Sequence, residues 1–430
     1  METMQLVLPS KPVDPQQNKS LIKLLFLFLS TNLLSILLFS NFNPTKLFFQ
    51  ENIPLLLELE ATQSNLSLNQ AQIKLLQINL KTTISLLNSH LNKSHKSQPK
   101  ENNNAFTWLQ SLKGELRLAV GPHKLPLGYT PNLRTDTWQP PIGLMCQLLS
   151  DDLAHYMTYE VGGECPSDAE LAQKLMLRGC EPLPRRRCRS KSPARYIDPT
   201  PLPESLWQTP PDTSVVWDNY TCKNYSCLVH RAEKPGSYDC KDCFNLHGRE
   251  KTRWLHDDGG INFSIDQVLK LISPGTVRIG LDIGGGTGTF AARMREHNII
   301  IVTTTMNFNG PFNSFIASRG LVPVHLTVGH RLPFFDSTLD LVHSMHVISN
   351  WIPGLVLEFL LYDVYRVLRP GGLFWLDRFF CVGPQMNETY VPFINKVGFN
   401  RLRWHEGRKM DRGERMNEWY LSAVLQKPIN

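Results

Sequence analysis

Asp282-Ile283-Gly284-Gly285-Gly286-Thr287-Gly288 sets an acid two residues ahead of a run of glycines, between an apolar stretch and TFAARM. Such a turn lets backbone approach a ligand closely, and the helix that follows aims free N–H groups at it. Two kinds of ligand suit it. GTGTFA (286–291) matches the G-x-G-x-x-A dinucleotide fingerprint. The longer match, Asp282-x-Gly284-x-Gly286-x-Gly288, adds a carboxylate that would draw a cationic group and repel a pyrophosphate. Other residues able to do chemistry lie downstream. His343 and His346 are base candidates for a hydroxyl acceptor, or else line a pocket. Asp377 and His256-Asp257-Asp258 are weaker candidates.

These residues need a scaffold, and periodicity supplies one. INFSIDQVLKLIS (261–273) reads as a helix opened by Ser264 and Gln267 at capping-box spacing. Strands are predicted at 277–283, 299–305, 321–328, 339–345 and 373–380, with helices at 289–297 and 358–368. Two consecutive strands, 399–406 and 418–427, close the chain. Alternating strands and helices imply a parallel sheet covered on both faces, and the final pair implies an antiparallel edge.

LPFFDSTLDLVHS (332–344) and RVLRPGGLFWLD (366–377) follow the glycine turn in order. With these motifs the chain resembles the class I S-adenosylmethionine-dependent methyltransferases. The resemblance implies a doubly wound, mostly parallel seven-stranded α/β sheet with an antiparallel edge strand, and S-adenosylmethionine as cofactor. It also implies that Asp282, Gly284, Gly286 and Gly288 meet the methionine moiety and that Asp340 lies near the site. Two family acids are missing. The end of the second strand carries Thr305, Met306 and Asn307 in place of the ribose-binding acid, and Val328-Gly329-His330-Arg331 replaces the acid beside the adenine. Asn307 or Asn309 would serve the ribose hydroxyls with neutral hydrogen bonds, each weaker than a charge-assisted one by roughly 1 kcal/mol.

GCEPLPRRRC (179–188), PLPESLW (201–207), PPDTSVVW (210–217) and YTCKNYSC (220–227) extend the likeness. They are similar to segments of plant Golgi type II membrane methyltransferases related to proteins implicated in methylating pectin. That resemblance implies an acidic polysaccharide, or another lumenal acceptor, with galacturonate carboxyls as the methyl acceptor. A carboxylate is already a nucleophile and needs no base, whereas a hydroxyl does. Two other readings of the same residues are a small-molecule O-methyltransferase using His343 or His346, and a lumenal scaffold that keeps the fold without turnover. Arg185, Arg186, Arg187, Arg189, Lys191 and Arg195, and a second run from Arg401 to Arg415, offer cations to an acidic polymer or are merely solvated. Trp207, Trp217, Trp351 and Trp404 could stack on sugar rings or fill a core.

The 430 residues are 42% hydrophobic and 19% charged, as in a folded protein, with a net charge of +7. LIKLLFLFLSTNLLSILLF (21–39) has about the length that crosses a bilayer. Lys11, Lys19 and Lys23 precede most of it, so the positive-inside rule leaves 1–20 cytosolic, 21–40 as signal anchor and the remainder lumenal. A single-pass type II membrane protein facing a secretory lumen follows, and the resemblance implies the Golgi membrane, with the endoplasmic reticulum as the other location. Sequons at Asn65, Asn92, Asn219, Asn224, Asn262 and Asn387 all lie beyond the span. Residues 41–104 read as a helical stem and linker, with Leu59, Leu66, Ile73, Leu80 and Leu87 seven apart. That seam suits a homodimer or a lone amphipathic spacer. Region 105–250, rich in Cys and Pro, is expected to hold a helix in PSDAELAQKLMLRGC (166–180), started at Ser167 and ended at Gly179, and otherwise loops stapled by disulfides, ahead of a methyltransferase domain at 251–430. Cys222, Cys227, Cys240 and Cys243 could instead hold zinc, but neither a metal nor a nucleic acid is expected as a partner.

Overall fold

The computed structural model describes residues 15–40, scattered positions between 62 and 81, and residues 104–124, 136–231 and 242–429. The chain divides into two units, Met1–Asn103 and Asn104–Asn430.

In the first unit, helix α1 (Pro15–Ser40) covers the expected anchor. Its side chains are described over residues 23–35, where Leu24, Phe26 and Phe28 are all exposed. Among the described residues no helix is long and apolar enough to cross a membrane. Every described position between Thr62 and Lys81 is helical, and Leu66, Ile73 and Leu80 stand exposed on it. Leu59, Leu87 and the sequons at Asn65 and Asn92 fall outside the described residues.

The second unit is built on seven strands: β1 (Ile279–Ile283), β2 (Ile300–Thr305), β3 (Val322–His325), β4 (Leu339–Met345), β5 (Leu368–Val382), β6 (Asn400–Arg408) and β7 (Glu418–Gln426). Their order is β3-β2-β1-β4-β5-β7-β6. The first five run parallel, and β7 lies antiparallel between β5 and β6. β1 and β4 are buried almost throughout, as strands covered on both faces must be. Alternation then divides their side chains between two cores. Val342 and Phe374 pack with Leu357, Leu360, Leu361 and Val364 of helix α11 (Gly354–Val367). Leu341 and Trp375 pack on the other face with Phe263, Val268 and Phe290. Each fully buried Leu or Phe contributes about 1.5–3 kcal/mol.

Helix α8 (Ile265–Leu269) starts as predicted, with the Ser264 hydroxyl accepting from the Gln267 amide. Helices α10 (Phe312–Ser318) and α12 (Val391–Val397) have no counterpart among the elements expected from periodicity. FNSFIAS is poor in helix formers, and burial of Phe312, Phe315 and Ile316 holds it in place.

Region 104–250 holds the helix expected in 166–180 and is otherwise more helical than expected. Helices α2 (Asn104–Ser111), α3 (Gly114–Val120), α4 (Leu144–Leu148), α5 (Ser150–Tyr156), α6 (Ala169–Leu177) and α7 (Tyr225–His230) are all short. Leu116, Val120, Leu149, Leu153 and Leu175 close one core around the Cys146–Cys180 disulfide. Val215, Tyr225, Leu228, Phe244 and Leu246 share another with Phe312 and Phe315 of α10. The boundary expected at 250/251 is therefore not a division between separate bodies, because these residues pack directly on the sheet's own helix. Cys165–Cys188 and Cys222–Cys227 are bonded, and Cys243 is disulfide-bonded too, so these thiols are not zinc ligands. Cys240 lies outside the described residues.

Candidate active site

The glycine turn leaves β1 and enters helix α9 (Thr289–Glu296) at the carboxyl ends of the parallel strands, where open α/β sheets bind ligands. Gly284, Gly286 and Gly288 hold φ of +67°, +57° and +82°. A Cβ on Gly284 would lie 2.3 Å from the Val347 side chain, and one on Gly285 2.0 Å from Asp282 Oδ2. The turn is fastened to β2 through Thr304, whose hydroxyl accepts from the Gly284 amide (3.0 Å) and whose carbonyl accepts from Gly285 (3.1 Å).

Beneath the turn runs a buried chain of charge. Register sets Asp282 opposite His343 and Met345 opposite Asp377. His343 Nδ1 donates to Asp282 Oδ1 (2.8 Å), and its Nε2 lies 3.8 Å from Asp377 Oδ2. Asp377 also accepts from Trp254 Nε1 (2.9 Å) and, through Oδ1, from the Ser422 hydroxyl (3.4 Å). The imidazole stacks on Phe290 at 3.7 Å and meets Trp254 and Trp375 edge-on. Burial alone would lower its pKa; Asp282 and Asp377 outweigh burial and raise it. Burial pushes Asp377 up, and His343, Arg378 and Trp254 bring it below its ordinary range. His343 thus lies between the carboxyl groups of Asp282 and Asp377, with both Asp282 and His343 only 1% exposed. His343 therefore has no face toward an acceptor, and its geometry is that of a positioning group rather than a base.

Asp282 Oδ2 has no hydrogen-bond partner although it is buried. An orphaned carboxylate oxygen under a turn that tolerates no side chain fits a small ligand with a cationic amino group. A further observation decides the assignment. The methyltransferase-domain family matches residues 281–376, which run from β1 through β5. The Arabidopsis thaliana protein named "Probable methyltransferase At1g29790" is 39% identical over 292 residues, covering 67% of this chain and 72% of that protein. The chain belongs to the plant class I S-adenosylmethionine-dependent methyltransferases. "Probable methyltransferase PMT15" of the same plant is 33% identical over 154 residues, 32% of this chain but only 22% of that longer protein. A solved S-adenosylmethionine-dependent methyltransferase from Methanosarcina mazei covers 38% of this chain and 98% of its own at 14% identity, with a TM-score of 0.30. The assignment rests on the sequence relatives.

In this methyltransferase the methyl donor implied by the family is S-adenosylmethionine, which supplies an electrophilic methyl on a sulfonium. Asp282 and the Gly284–Gly288 backbone would hold its methionyl end. The ribose end differs from expectation. Asn307 Oδ1 accepts from the Asn313 amide (2.9 Å), and Asn309 Oδ1 from the Thr221 amide (2.9 Å). Both carbonyls fasten neighbouring segments, which leaves only amide donors to offer a hydroxyl.

Asp340 is not at this site. It opens β4 at the opposite end of the strand, 1% exposed, and accepts from the Arg278 and Ile279 amides (2.7 and 3.1 Å) and from Arg369 Nε (2.5 Å). Its place at the start of LDLVHSM already marked the amino end of the strand. His346 is at the site, exposed just past β4, with φ of +63°. Desolvation in the opening takes its pKa to about 4, with Asp377 opposing and Arg378, Arg253 and Arg249 assisting. It is neutral at cellular pH and a weak base. Asp257 is paired with Arg403, and Asp258 accepts from the Gly260 amide (2.8 Å), so both shape a loop.

Part of each basic run is ion-paired: Arg186 with Asp168, Arg187 with Glu115, Lys191 with Asp218, Arg403 with Asp257, and Lys409 and Arg412 with Glu418. Trp207 lies between Arg293 and Lys251, Trp217 packs on Tyr225, and Trp404 is covered by Arg401. Trp351 is 60% exposed, its Nε1 tied to the Val347 carbonyl (2.7 Å) beside the glycine turn. Arg253, Trp254 and Arg378 are the site residues the sequence did not single out, although each adjoins a residue or segment that it did.

Proposed function

We propose that this methyltransferase works in the lumen of the secretory pathway, anchored in the Golgi membrane by α1, and methylates galacturonate carboxyls of a pectin-like wall polysaccharide. The carrying observation is that disulfide-bonded chain seats the cofactor turn: the Thr287 hydroxyl donates to the carbonyl of Cys243 (2.9 Å). Such bonds form and persist in an oxidising compartment. The exposed apolar side chains of α1 favour the anchor, and exposed Asn219 and Asn387 suit glycosylation. Asn224 instead caps α7, and Asn262 is held by Asp258 and Arg378. Leu66, Ile73 and Leu80 are free to pair two stems.

Methyl transfer is an in-line displacement, so alignment supplies most of the acceleration. Asp282 and the glycine backbone fix the donor; Trp351 offers a stacking face to a sugar ring. The test is to incubate the purified full chain with labelled S-adenosylmethionine and fractionated wall polysaccharides. Base-labile label in de-esterified pectin is expected. Label confined to neutral polymers or small phenolics would overturn the acceptor assignment.

A further inference from the structure

Three residues around the opening hold left-handed backbone without being glycine: Trp254 (φ +58°), His346 (+63°) and Arg378 (+49°). Such conformations carry backbone strain, and they gather where function requires them. Two of the three turns aim guanidinium groups at one uncharged atom. Arg253 Nη1 lies 3.0 Å, and Arg378 Nη1 4.0 Å, from the Met345 thioether sulfur.

The anions at this spot do not balance the cations. Glu250 is paired with Arg253 (2.6 Å), Asp242 with Arg249 (2.6 Å), and Asp377 makes its contacts with His343 and Trp254 and meets Arg378 only through its field. Among the described residues Arg378 has no carboxylate partner, its other guanidinium contact being the side-chain oxygen of Asn262. Two converging cations, of which only Arg253 has an ion-pair partner, leave room in charge for one more carboxylate. Planar guanidinium groups accept one in paired hydrogen bonds. His346 stands exposed beside them and adds no positive charge of its own.

We propose that Arg253 and Arg378 are the specificity-determining residues of the acceptor site, gripping the carboxylate that is to be methylated, or that of the adjoining sugar, over Met345. The inference rests on the acidic-polysaccharide reading above and names the residues that enforce it. In the reaction a carboxylate oxygen forms the new C–O bond to the methyl carbon. The donor's S–CH3 bond breaks with its electron pair returning to sulfur, and no proton moves. A neutral sugar has no anion to place between the two guanidinium groups and would leave Arg378 without one.

The experiment uses the purified full chain with oligogalacturonate and its carboxyl-reduced, neutral counterpart. Arg378→Gln is expected to raise KM for the acid about tenfold or more, the loss of a charged hydrogen bond, with S-adenosylhomocysteine affinity within about twofold of wild type. Arg378→Lys should recover some of the loss. Arg253→Gln alone strands Glu250, so it is paired with Glu250→Gln and should act in the same direction. Unchanged KM in both Arg378→Gln and the double variant overturns the inference. If wild type methylates neither polymer, the acceptor reading fails, and direct binding decides the inference by itself. Oligogalacturonate binding weakened about tenfold by Arg378→Gln upholds it. Equal binding, or none by wild type, overturns it.

Discussion

Asp340 and Asp282 are both 1% exposed and both sit on central strands, yet they stand at opposite ends of the sheet and in opposite conditions. At the amino end every oxygen of Asp340 is answered, by two backbone amides and Arg369. At the carboxyl end Asp282 keeps one oxygen without a partner, and His343 Nε2 has none within hydrogen-bond reach. Nearby, two arginines converge on a thioether over left-handed backbone. One end of the sheet is finished as structure; the other is finished only when something binds. Incompletely satisfied polar groups are tolerated where a ligand completes them.

The same substitution at the two ends should therefore give different binding readouts. Asp340→Asn places an amide donor against two backbone donors and strips Arg369 of its anion. It should lower unfolding free energy by about 3–5 kcal/mol in denaturant melts, with donor affinity of the remaining folded protein unchanged. Asp282→Asn keeps an oxygen for His343 but removes the charge. It should weaken S-adenosylhomocysteine binding by roughly a hundredfold in calorimetry, where Asp340→Asn leaves that binding unchanged, and the melting temperature also falls because His343 loses a charged partner. Loss of stability without loss of binding at Asp282 would erase the contrast.

A smaller effect is read in pH. His343 is raised in the folded state, so its stabilisation is complete below the unfolded value of 6.5 and is lost as pH climbs through the folded value. Asp377 is lowered, so its share is present above the unfolded value of 3.8 and is lost as pH falls. Melting temperature should pass through a maximum between these limits, and His343→Gln should flatten the alkaline limb. The smallest effect expected is at His346. A carboxylate acceptor needs no base, so His346→Ala should change kcat on oligogalacturonate by less than about threefold. A drop of a hundredfold or more would instead identify a hydroxyl acceptor.

The sheet was legible because its strands are continuous apolar runs and its turn is written in glycines; β4 falls on 339–345 as predicted. In the Cys- and Pro-rich region α6 was legible from the apolar face of 166–180, but α4 and α5 were not, since five and seven residues carry too few turns for a period to stand out. Asp282 was legible from spacing. The closure of His343 was not, because only register brings Asp282 and Asp377 to its two nitrogens. Arg253 and Arg378 lie on segments far apart in sequence, and their convergence on Met345 exists only in three dimensions.

Arg319 is fully buried, and its guanidinium donates to the carbonyls of Leu206 (2.8 Å) and Thr287 (2.8 Å), one on each side of the expected domain boundary. A fragment beginning at 251 would carry every methyltransferase motif and yet leave this cation facing a missing acceptor, with Thr287 deprived of Cys243. The heritable unit is thus longer than the span its motifs outline. Residues 105–246 precede the glycine turn in the chain, and a disulfide-bonded residue among them, Cys243, offers the carbonyl on which that turn rests.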